Sequence, residues 1–144
     1  MSQALFQLSN QLFDTAKLRQ DLLTTSSGAY VSFEGWVRDN HAGTAVISLS
    51  YQAHPLLAVS EGENVVQEAL RLYAINGALC VHRIGALQLS ELAVWVGVSA
   101  GHRDAAFNAT RFIIDEIKAR VPIWKHEHYA TGAPLWLHQN PAIS

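Results

Sequence analysis

The chain has 144 residues, of which 49% are hydrophobic and 15% charged, with a formal net charge of −2 and a sequence pI of about 6.4. This length supports one domain with a substantial core, so residues 1–144 are predicted to form a single domain. A chain without excess positive charge has no overall basic field, which argues against nucleic acid and anionic membrane surfaces as partners. Any anion-binding site must therefore be local.

Cysteine content and hydropathy narrow the class of protein further. Cys80 is the single cysteine, which excludes an intramolecular disulfide and a cysteine-based metal cluster. No signal peptide opens the sequence, and no apolar run approaches the length of a membrane span. We therefore expect a cytoplasmic location and no association with a membrane.

In the N-terminal part, residues 4–8 read as a short strand and are followed by a short helix with Asp14 as its N-cap. Residues 30–37 alternate like a strand, and residues 44–51 alternate again after a polar turn. These two segments are therefore predicted to pair as a β-hairpin.

The middle of the chain predicts a helix over residues 58–74, with Ser60 and Glu63 as a candidate capping box. The Asn76-Gly77 pair marks the turn after this helix. Two strands are then expected, over residues 78–89 and 92–99.

A long helix is predicted between the second of these strands and Pro122, which cannot continue a helix. Its polar residues recur at spacings of four and three, and its apolar residues form the opposite stripe. The polar stripe is Asp104, Asn108, Arg111, Asp115 and Lys118, and the apolar stripe is Ala106, Ala109, Ile113 and Ile117. The whole order, βαββαββαβ, predicts an α+β fold with a mixed sheet covered mainly by two long helices.

Several cationic residues in and around this helix are candidate site residues. His102 and Arg103 begin the helix, where free N–H groups favour an anion, and the alternative is that Arg103 pairs with Asp104 or with another acid of the fold. From its position on the polar stripe alone, Lys118 reads as a solvated helix lysine with a weak ion pair to Asp115. Lys125 follows Trp124 and is either partly desolvated or snorkels to solvent.

For several further residues a purely structural role is an alternative to a role in a functional site. Arg38 follows a predicted strand and can pair with Asp39 or stay in solvent. His126 and His128 share one face of a predicted strand, but no further metal ligands can be assigned, so no metal site is predicted. His82-Arg83 suggests a structural pair, and Cys80 is expected to pack as a small apolar residue.

Taken together, several short motifs resemble one family, the large, catalytic subunit of molybdopterin synthase (the MoaE family). The motifs occur in the family's order between about residues 30 and 136. They are Gly35-Trp36-Val37-Arg38, Tyr51-Gln52-Ala53-His54-Pro55, His82-Arg83-Ile84-Gly85, Ala100-Gly101-His102-Arg103, and Lys118 through Pro122-Ile123-Trp124-Lys125-His126-Glu127.

The resemblance implies an α/β-hammerhead fold and a homodimer at the centre of a heterotetramer. Each protomer of the family binds a small ubiquitin-like sulfur carrier, whose C-terminal Gly-Gly thiocarboxylate enters a pocket. Two sulfurs pass to cyclic pyranopterin monophosphate to form the dithiolene of molybdopterin, and no cofactor is required. This sulfurtransferase reaction needs no cysteine of the enzyme.

The resemblance also implies roles for individual residues. Lys118 and Lys125 are expected to be catalytic, and Arg38, His102 and Arg103 to bind substrate, with His102 and Arg103 reaching the pocket of the other protomer. Some family members carry an arginine shortly after the tail tryptophan. Here Trp136 is followed by Leu137-His138, so this contact is either absent or made by His138.

Two other readings stay open at this stage. A non-catalytic anion- or nucleotide-binding module could keep the same fold and cations without sulfur transfer. A histidine-dependent hydrolase has less support, since no acid–histidine–nucleophile spacing is visible.

Overall fold

The structure is a computed structural model that describes residues 4–131 and 135–138. Its elements in chain order are β1 (Phe6–Ser9), α1 (Thr15–Leu22), β2 (Ala29–Trp36), β3 (Asn40–His41), β4 (Thr44–Ala53), α2 (Pro55–Leu72), β5 (Ile75–Arg83), β6 (Gly85–Gln88), β7 (Leu92–Ala100), α3 (Arg103–Arg120), β8 (Ile123–Tyr129) and β9 (Leu135–His138). None of the described helices is both long and apolar enough to cross a membrane.

The first sheet has the strand order β1-β5-β7-β2. Strand β1 runs parallel to β5, while β5 and β2 both run antiparallel to β7, so the sheet is mixed as predicted. The two central strands, β5 and β7, are almost continuously buried because helices cover both faces of this sheet.

Helices α2 and α3 pack together on one face of the first sheet and enclose the main core. The predicted apolar stripe of α3 is confirmed, since Ala106, Ala109, Ile113 and Ile117 are fully buried. Helix α1 covers the opposite face, where Leu22 packs in the cluster that contains Trp95. Asp14 caps α1 as predicted, and its carboxylate accepts hydrogen bonds from the backbone N–H groups of Ala16 and Lys17.

A second sheet has the order β3-β4-β8-β9, with β6 also paired to β4. The predicted hairpin between residues 30–37 and 44–51 is wrong, because β2 pairs with β7 and β4 pairs with β3, β6 and β8. The tight turn lies between β3 and β4, where Ala42 and Gly43 both have positive φ. The chain therefore leaves the first sheet at Trp36 and starts the second.

The start of α2 also differs from the prediction. His54 is the N-cap, and its Nδ1 accepts a hydrogen bond from the Leu57 N–H, so the capping box of Ser60 and Glu63 is wrong. Pro55 fits the first helical position because it has no N–H to leave unpaired. The Glu63 carboxylate instead accepts hydrogen bonds from two backbone N–H groups at the start of β1.

Two boundaries around β5 were also placed wrongly by the sequence patterns. Asn76-Gly77 lies inside β5 and not in a turn after α2, because the helix ends at Leu72. The single strand expected over residues 78–89 is two strands, and they join different sheets. The chain changes sheets at Ile84-Gly85, where Gly85 adopts a φ of +89° that favours glycine.

Gly62 lies on the buried side of α2, against the ring of Phe6. A Cβ atom at this position would lie 2.3 Å from the nearest atoms of that ring. Alanine normally favours a helix interior over glycine by about 1 kcal/mol. We nevertheless expect Gly62→Ala to lower the free energy of unfolding by roughly 1–3 kcal/mol, because the Phe6 ring must move.

Urea denaturation measures this loss. Ser60→Ala, at an exposed position of the same helix, is the matched control and should change stability little. A Gly62→Ala protein as stable as the wild type would show that moving the Phe6 ring costs no more than the helix propensity of alanine contributes.

Candidate functional site

A pocket of about 280 Å³ opens between the second sheet and the C-terminal end of α3. Leu49 and Tyr51 contribute from β4, and their cross-strand partners Glu127 and Lys125 contribute from β8. Cross-strand partners lie on one face of a sheet, which explains why these four side chains gather here. The complete lining is Trp36, Val37, Arg38, Asn40, Leu49, Tyr51, Lys118, Lys125 and Glu127.

Lys118 reaches this pocket from the last turn of α3 and is half-buried. Burial, followed by the positive charges of Lys125 and Arg38, lowers the pKa of the Lys118 ammonium, and the nearby Asp115 opposes the shift. The alternative pairing of Lys118 with Asp115 is not seen. Asp115 instead accepts a 3.0 Å hydrogen bond from Arg111 Nε.

Lys125 lies on the neighbouring strand β8 and is mostly buried, with 22% of its side chain exposed. Its Nζ is 3.7 Å from Glu127 Oε2, which is an ion-pair distance. Lys125 therefore belongs to the partly desolvated class of lysines and not to those that extend into solvent.

Glu127 is a buried carboxylate beside Lys125, with 4% of the residue exposed. Its Oε1 accepts a 2.9 Å hydrogen bond from the Tyr129 hydroxyl. The same oxygen is 2.6 Å from His41 Nδ1, a close contact that lacks hydrogen-bond geometry. One negative charge thus offsets part of the positive charge that Lys125 and Arg38 bring to the pocket.

Arg38 follows β2, at the rim of the pocket. The residue before it is fixed by two backbone hydrogen bonds, from Val37 N to Glu91 O (3.0 Å) and from Ser90 N to Val37 O (2.8 Å). The Arg38 side chain is exposed and makes no ion pair with any described residue, Asp39 included. Its guanidinium is therefore available to an anionic ligand.

Tyr51 and Glu127 line the pocket but were not among the residues expected from the sequence. Burial, and then the charge of Glu127, raises the pKa of Tyr51 to about 12. Both residues lie in quoted motifs, and strand alternation already puts Glu127 on the same face as Lys125. The pairing of β4 with β8, which brings Tyr51 to Lys125, has no local sequence signal.

His102 and Arg103 lie at the opposite end of α3 from Lys118. His102 is the N-cap and makes no side-chain capping bond, and Arg103 is the first helical residue. Both are exposed. The fifteen residues from Arg103 to Lys118 span about 22 Å of helix, so one protomer does not bring these residues together.

A groove of about 620 Å³ runs between β2 and α3 and has Lys118 in common with the pocket. Phe33 and Ile114 give it an apolar floor, and Phe107 lies at its far end near the start of α3. Phe107 is 60% exposed. The half-buried lysine is thus reached both from the cationic pocket and from a mainly apolar groove.

The remaining candidates lie outside the pocket lining. Cys80 is buried in the main core, as predicted, and burial raises the pKa of its thiol. His82 is also buried, with its Nδ1 2.6 Å from the Arg83 carbonyl oxygen. The side chain of His138, at the end of β9, lies outside the described residues.

The rings of His126 and His128 are 4.7 Å apart, centroid to centroid. Within residues 4–131 and 135–138, no three side chains of the metal-binding types gather into a site.

The pocket as a whole suits an anionic substrate and a proton transfer. Three cations, Arg38, Lys118 and Lys125, surround a space large enough for part of a small molecule or the end of a peptide. A lysine with a lowered pKa is more readily neutral, so Lys118 can accept a proton as well as donate one. The pocket therefore combines groups that can bind an anion with a group that can move a proton.

Comparison with known proteins identifies the family of this chain. The sequence model of the family described as MoaE protein matches residues 8–120. A molybdopterin synthase catalytic subunit from Thermoplasma volcanium is 43% identical over 110 residues, which cover 76% of this chain and 80% of that protein. One from Pyrococcus abyssi is 45% identical over 104 residues, covering 72% and 70%.

Solved structures share the fold. The X-ray crystal structure of molybdopterin synthase from Staphylococcus aureus matches with a TM-score of 0.86 and 32% identity, covering 94% of this chain and 98% of that one. A protein–protein complex of subunits 1 and 2 of molybdopterin-converting factor from Helicobacter pylori contains a chain with a TM-score of 0.73 at 20% identity, covering 90% and 88%. The expected α+β fold is thereby confirmed, and the chain belongs to the MoaE family of molybdopterin synthase catalytic subunits.

Proposed function

We propose that this chain converts cyclic pyranopterin monophosphate to molybdopterin with sulfur from the C-terminal thiocarboxylate of a small carrier protein. The observation that carries this proposal is the position of Lys118, half-buried between Lys125 and Arg38 in the pocket of a MoaE-family fold. Residues 1–144 act as one domain, in the cytoplasm and without a cofactor.

The proposed chemistry is a transfer of sulfur from an acyl group to carbon. The thiocarboxylate sulfur bonds to a carbon of the pterin side chain as a carbon–oxygen bond of that carbon breaks, and the displaced oxygen leaves as water or stays on the phosphate. Water then adds to the acyl carbon and breaks the acyl–sulfur bond. The electron pair leaves with sulfur as a thiolate on the pterin, and the carrier departs as a carboxylate. A second carrier repeats the transfer to give the dithiolene.

Each lysine has a role in this scheme. Lys118 in its neutral form takes the proton of the attacking water, and in its charged form stabilises the tetrahedral intermediate and the thiolate. Its lowered pKa supports this role because both forms are then accessible. Lys125 assists by holding the thiocarboxylate, and Arg38 binds the substrate phosphate or the pterin.

The partner is a small sulfur-carrier subunit that ends in Gly-Gly. An extended glycine tail is narrow enough to enter a pocket of about 280 Å³, and the cations there attract its terminal charge. The complex between subunits 1 and 2 of the Helicobacter pylori factor supports a partnership of this kind.

We also propose that two copies of the chain form the centre of a heterotetramer. His102 and Arg103 are exposed, and they lie about 22 Å along α3 from Lys118 of the same protomer. A two-fold axis that sets two α3 helices antiparallel would bring these residues to the partner's pocket. Each site then contains Lys118 and Lys125 of one protomer together with His102 and Arg103 of the other.

Reconstitution tests the proposal. Purified protein, a thiocarboxylated carrier and cyclic pyranopterin monophosphate are mixed under single-turnover conditions, and dithiolene product is detected after oxidation. We expect product that depends on the thiocarboxylate, with a carrier ending in an ordinary carboxylate as the matched control. A carrier that binds but yields no product would favour the non-catalytic binding module.

A further inference from the structure

Tyr51 lines the same pocket as the charged residues Arg38, Lys118, Lys125 and Glu127, and its side chain ends in an uncharged hydroxyl group. It lies on β4 directly opposite Lys125 of β8, and both line the pocket. Cβ atoms of such cross-strand partners are about 4.5–5.5 Å apart. No hydrogen bond joins the Tyr51 hydroxyl to another described residue. The Tyr129 hydroxyl, in contrast, donates a hydrogen bond to Glu127. A pocket-lining donor is therefore left without a protein partner in the described residues.

The Tyr51 ring is held firmly. It makes an edge-to-face contact with the ring of His82, with centroids 4.9 Å apart and an interplanar angle of 84°. His82 is itself buried and has its Nδ1 2.6 Å from a backbone carbonyl. Tyr51 also packs against the main core and the cluster of Val37 and Leu49. A donor on so fixed a ring needs little reorganisation to meet a charge that develops in the pocket.

The hydroxyl also keeps its proton in this environment. Burial and the nearby Glu127 carboxylate raise the pKa of Tyr51 to about 12, so it stays neutral where Lys118 titrates. It thus differs from the three cations of the pocket, since it adds a hydrogen bond without adding charge.

We propose that Tyr51 is a further catalytic residue, whose hydroxyl donates a hydrogen bond to the acyl oxygen of the carrier's terminal thiocarboxylate. This inference rests on the proposed function. When water adds to the acyl carbon, that oxygen gains negative charge, and the hydrogen bond strengthens. When the acyl–sulfur bond breaks, the carbonyl is restored and the hydrogen bond weakens again. Tyr51 remains protonated throughout, and Lys118 handles the proton of water.

The test is Tyr51→Phe, which keeps the ring and its contact with His82 and removes one oxygen atom. We expect the single-turnover rate to fall roughly 10- to 100-fold, because one oxyanion donor is lost from a partly buried site. Binding of a synthetic peptide thiocarboxylate ending in Gly-Gly should weaken about three- to tenfold, measured by calorimetry. Tyr73→Phe is the matched control, since Tyr73 packs against Phe112 and does not line the pocket.

The outcomes separate this inference from the function on which it rests. If wild-type protein forms product, a Tyr51→Phe rate and peptide affinity equal to those of Tyr73→Phe would overturn the inference and leave the function standing. If wild-type protein forms no product, the proposed function fails. The affinities of Tyr51→Phe and Tyr73→Phe for the peptide thiocarboxylate then decide whether the Tyr51 hydroxyl binds this group. Weaker binding by Tyr51→Phe would then support an anion-binding hydroxyl, and equal affinity, or no binding by either protein, would overturn it. Thermal unfolding near the wild-type midpoint confirms that the variant is folded.

Discussion

Lys118→Ala is expected to lower the single-turnover rate of dithiolene formation by roughly 10²–10⁴-fold, the range over which a positioned acid or base acts. The physical reason is that Lys118 is the pocket amine whose pKa burial, Lys125 and Arg38 clearly lower. Binding of the carrier should persist, because Arg38 and Lys125 remain. A near-wild-type rate would remove Lys118 from the catalytic residues.

Lys118→Arg separates the two roles proposed for this residue. Arginine keeps the positive charge but does not lose its proton in proteins. If the neutral amine is the base, Lys118→Arg should be nearly as slow as Lys118→Ala. If charge stabilisation dominates, most of the rate should survive in the arginine variant.

The pH dependence of the wild-type rate provides an independent check of the base role. Because the pKa of Lys118 is lowered, the neutral amine becomes populated below the ordinary pKa of lysine. The rate should therefore rise with pH through that lowered pKa and then level off. Lys118→Arg should lack this rise. A wild-type rate that falls over the same range would contradict proton transfer to Lys118.

The same lowered pKa has a consequence for stability. The unfolded chain holds the Lys118 proton more tightly than the folded chain, so the folded state is penalised at neutral pH, and the penalty disappears as pH rises above the ordinary lysine pKa. Lys118→Met keeps the length of the side chain and removes the charge. We expect it to raise the free energy of unfolding at neutral pH by about 0.5–1 kcal/mol, measured in urea, with little gain at high pH.

Local sequence patterns predicted most of the helices and strands, but not all their bounds and not which strands pair. The α3 stripe and the Asp14 cap follow from periodicities and side-chain chemistry within one or two turns of helix, and both were predicted. The pairing of β4 with β8 joins residues about 75 positions apart, such as Tyr51 and Lys125, and neither strand carries a local signal for its partner. The expected hairpin failed because alternation reveals that a segment is a strand without revealing its neighbour.

The residues of the site likewise fall into those that could be predicted from the sequence and those that depend on strand pairing. Resemblance supplied Arg38, Lys118 and Lys125, and the structure brings these three together. Tyr51 and Glu127 emerged only with the second sheet, since strand pairing decides which side chains share a pocket. His102 and Arg103 lie at the far end of α3, and their expected role is in the site of the other protomer.

Mixed dimers test that role directly. We expect a dimer of one Lys118→Ala protomer and one Arg103→Ala protomer to have about half the wild-type activity, although each parent homodimer is strongly impaired. In such a dimer one site carries both substitutions, while the other combines an intact lysine from one protomer with an intact Arg103 from its partner. Two different affinity tags on co-expressed chains isolate the mixed species, and single-turnover product formation measures its activity.

The matched control combines Lys118→Ala with Lys125→Ala, because both lysines line the pocket of the same protomer. Every site of that mixed dimer lacks one lysine, so no activity should return. If activity returns when the Lys118→Ala protomer is combined with Arg103→Ala but not with Lys125→Ala, then Arg103 and Lys118 of one α3 helix act in two different sites. A mixed dimer with Arg103→Ala that stays as impaired as its parents would show that an intact Arg103 of the partner does not restore a site with an intact Lys118. The roughly 22 Å between Arg103 and Lys118 would then exclude Arg103 from the pocket.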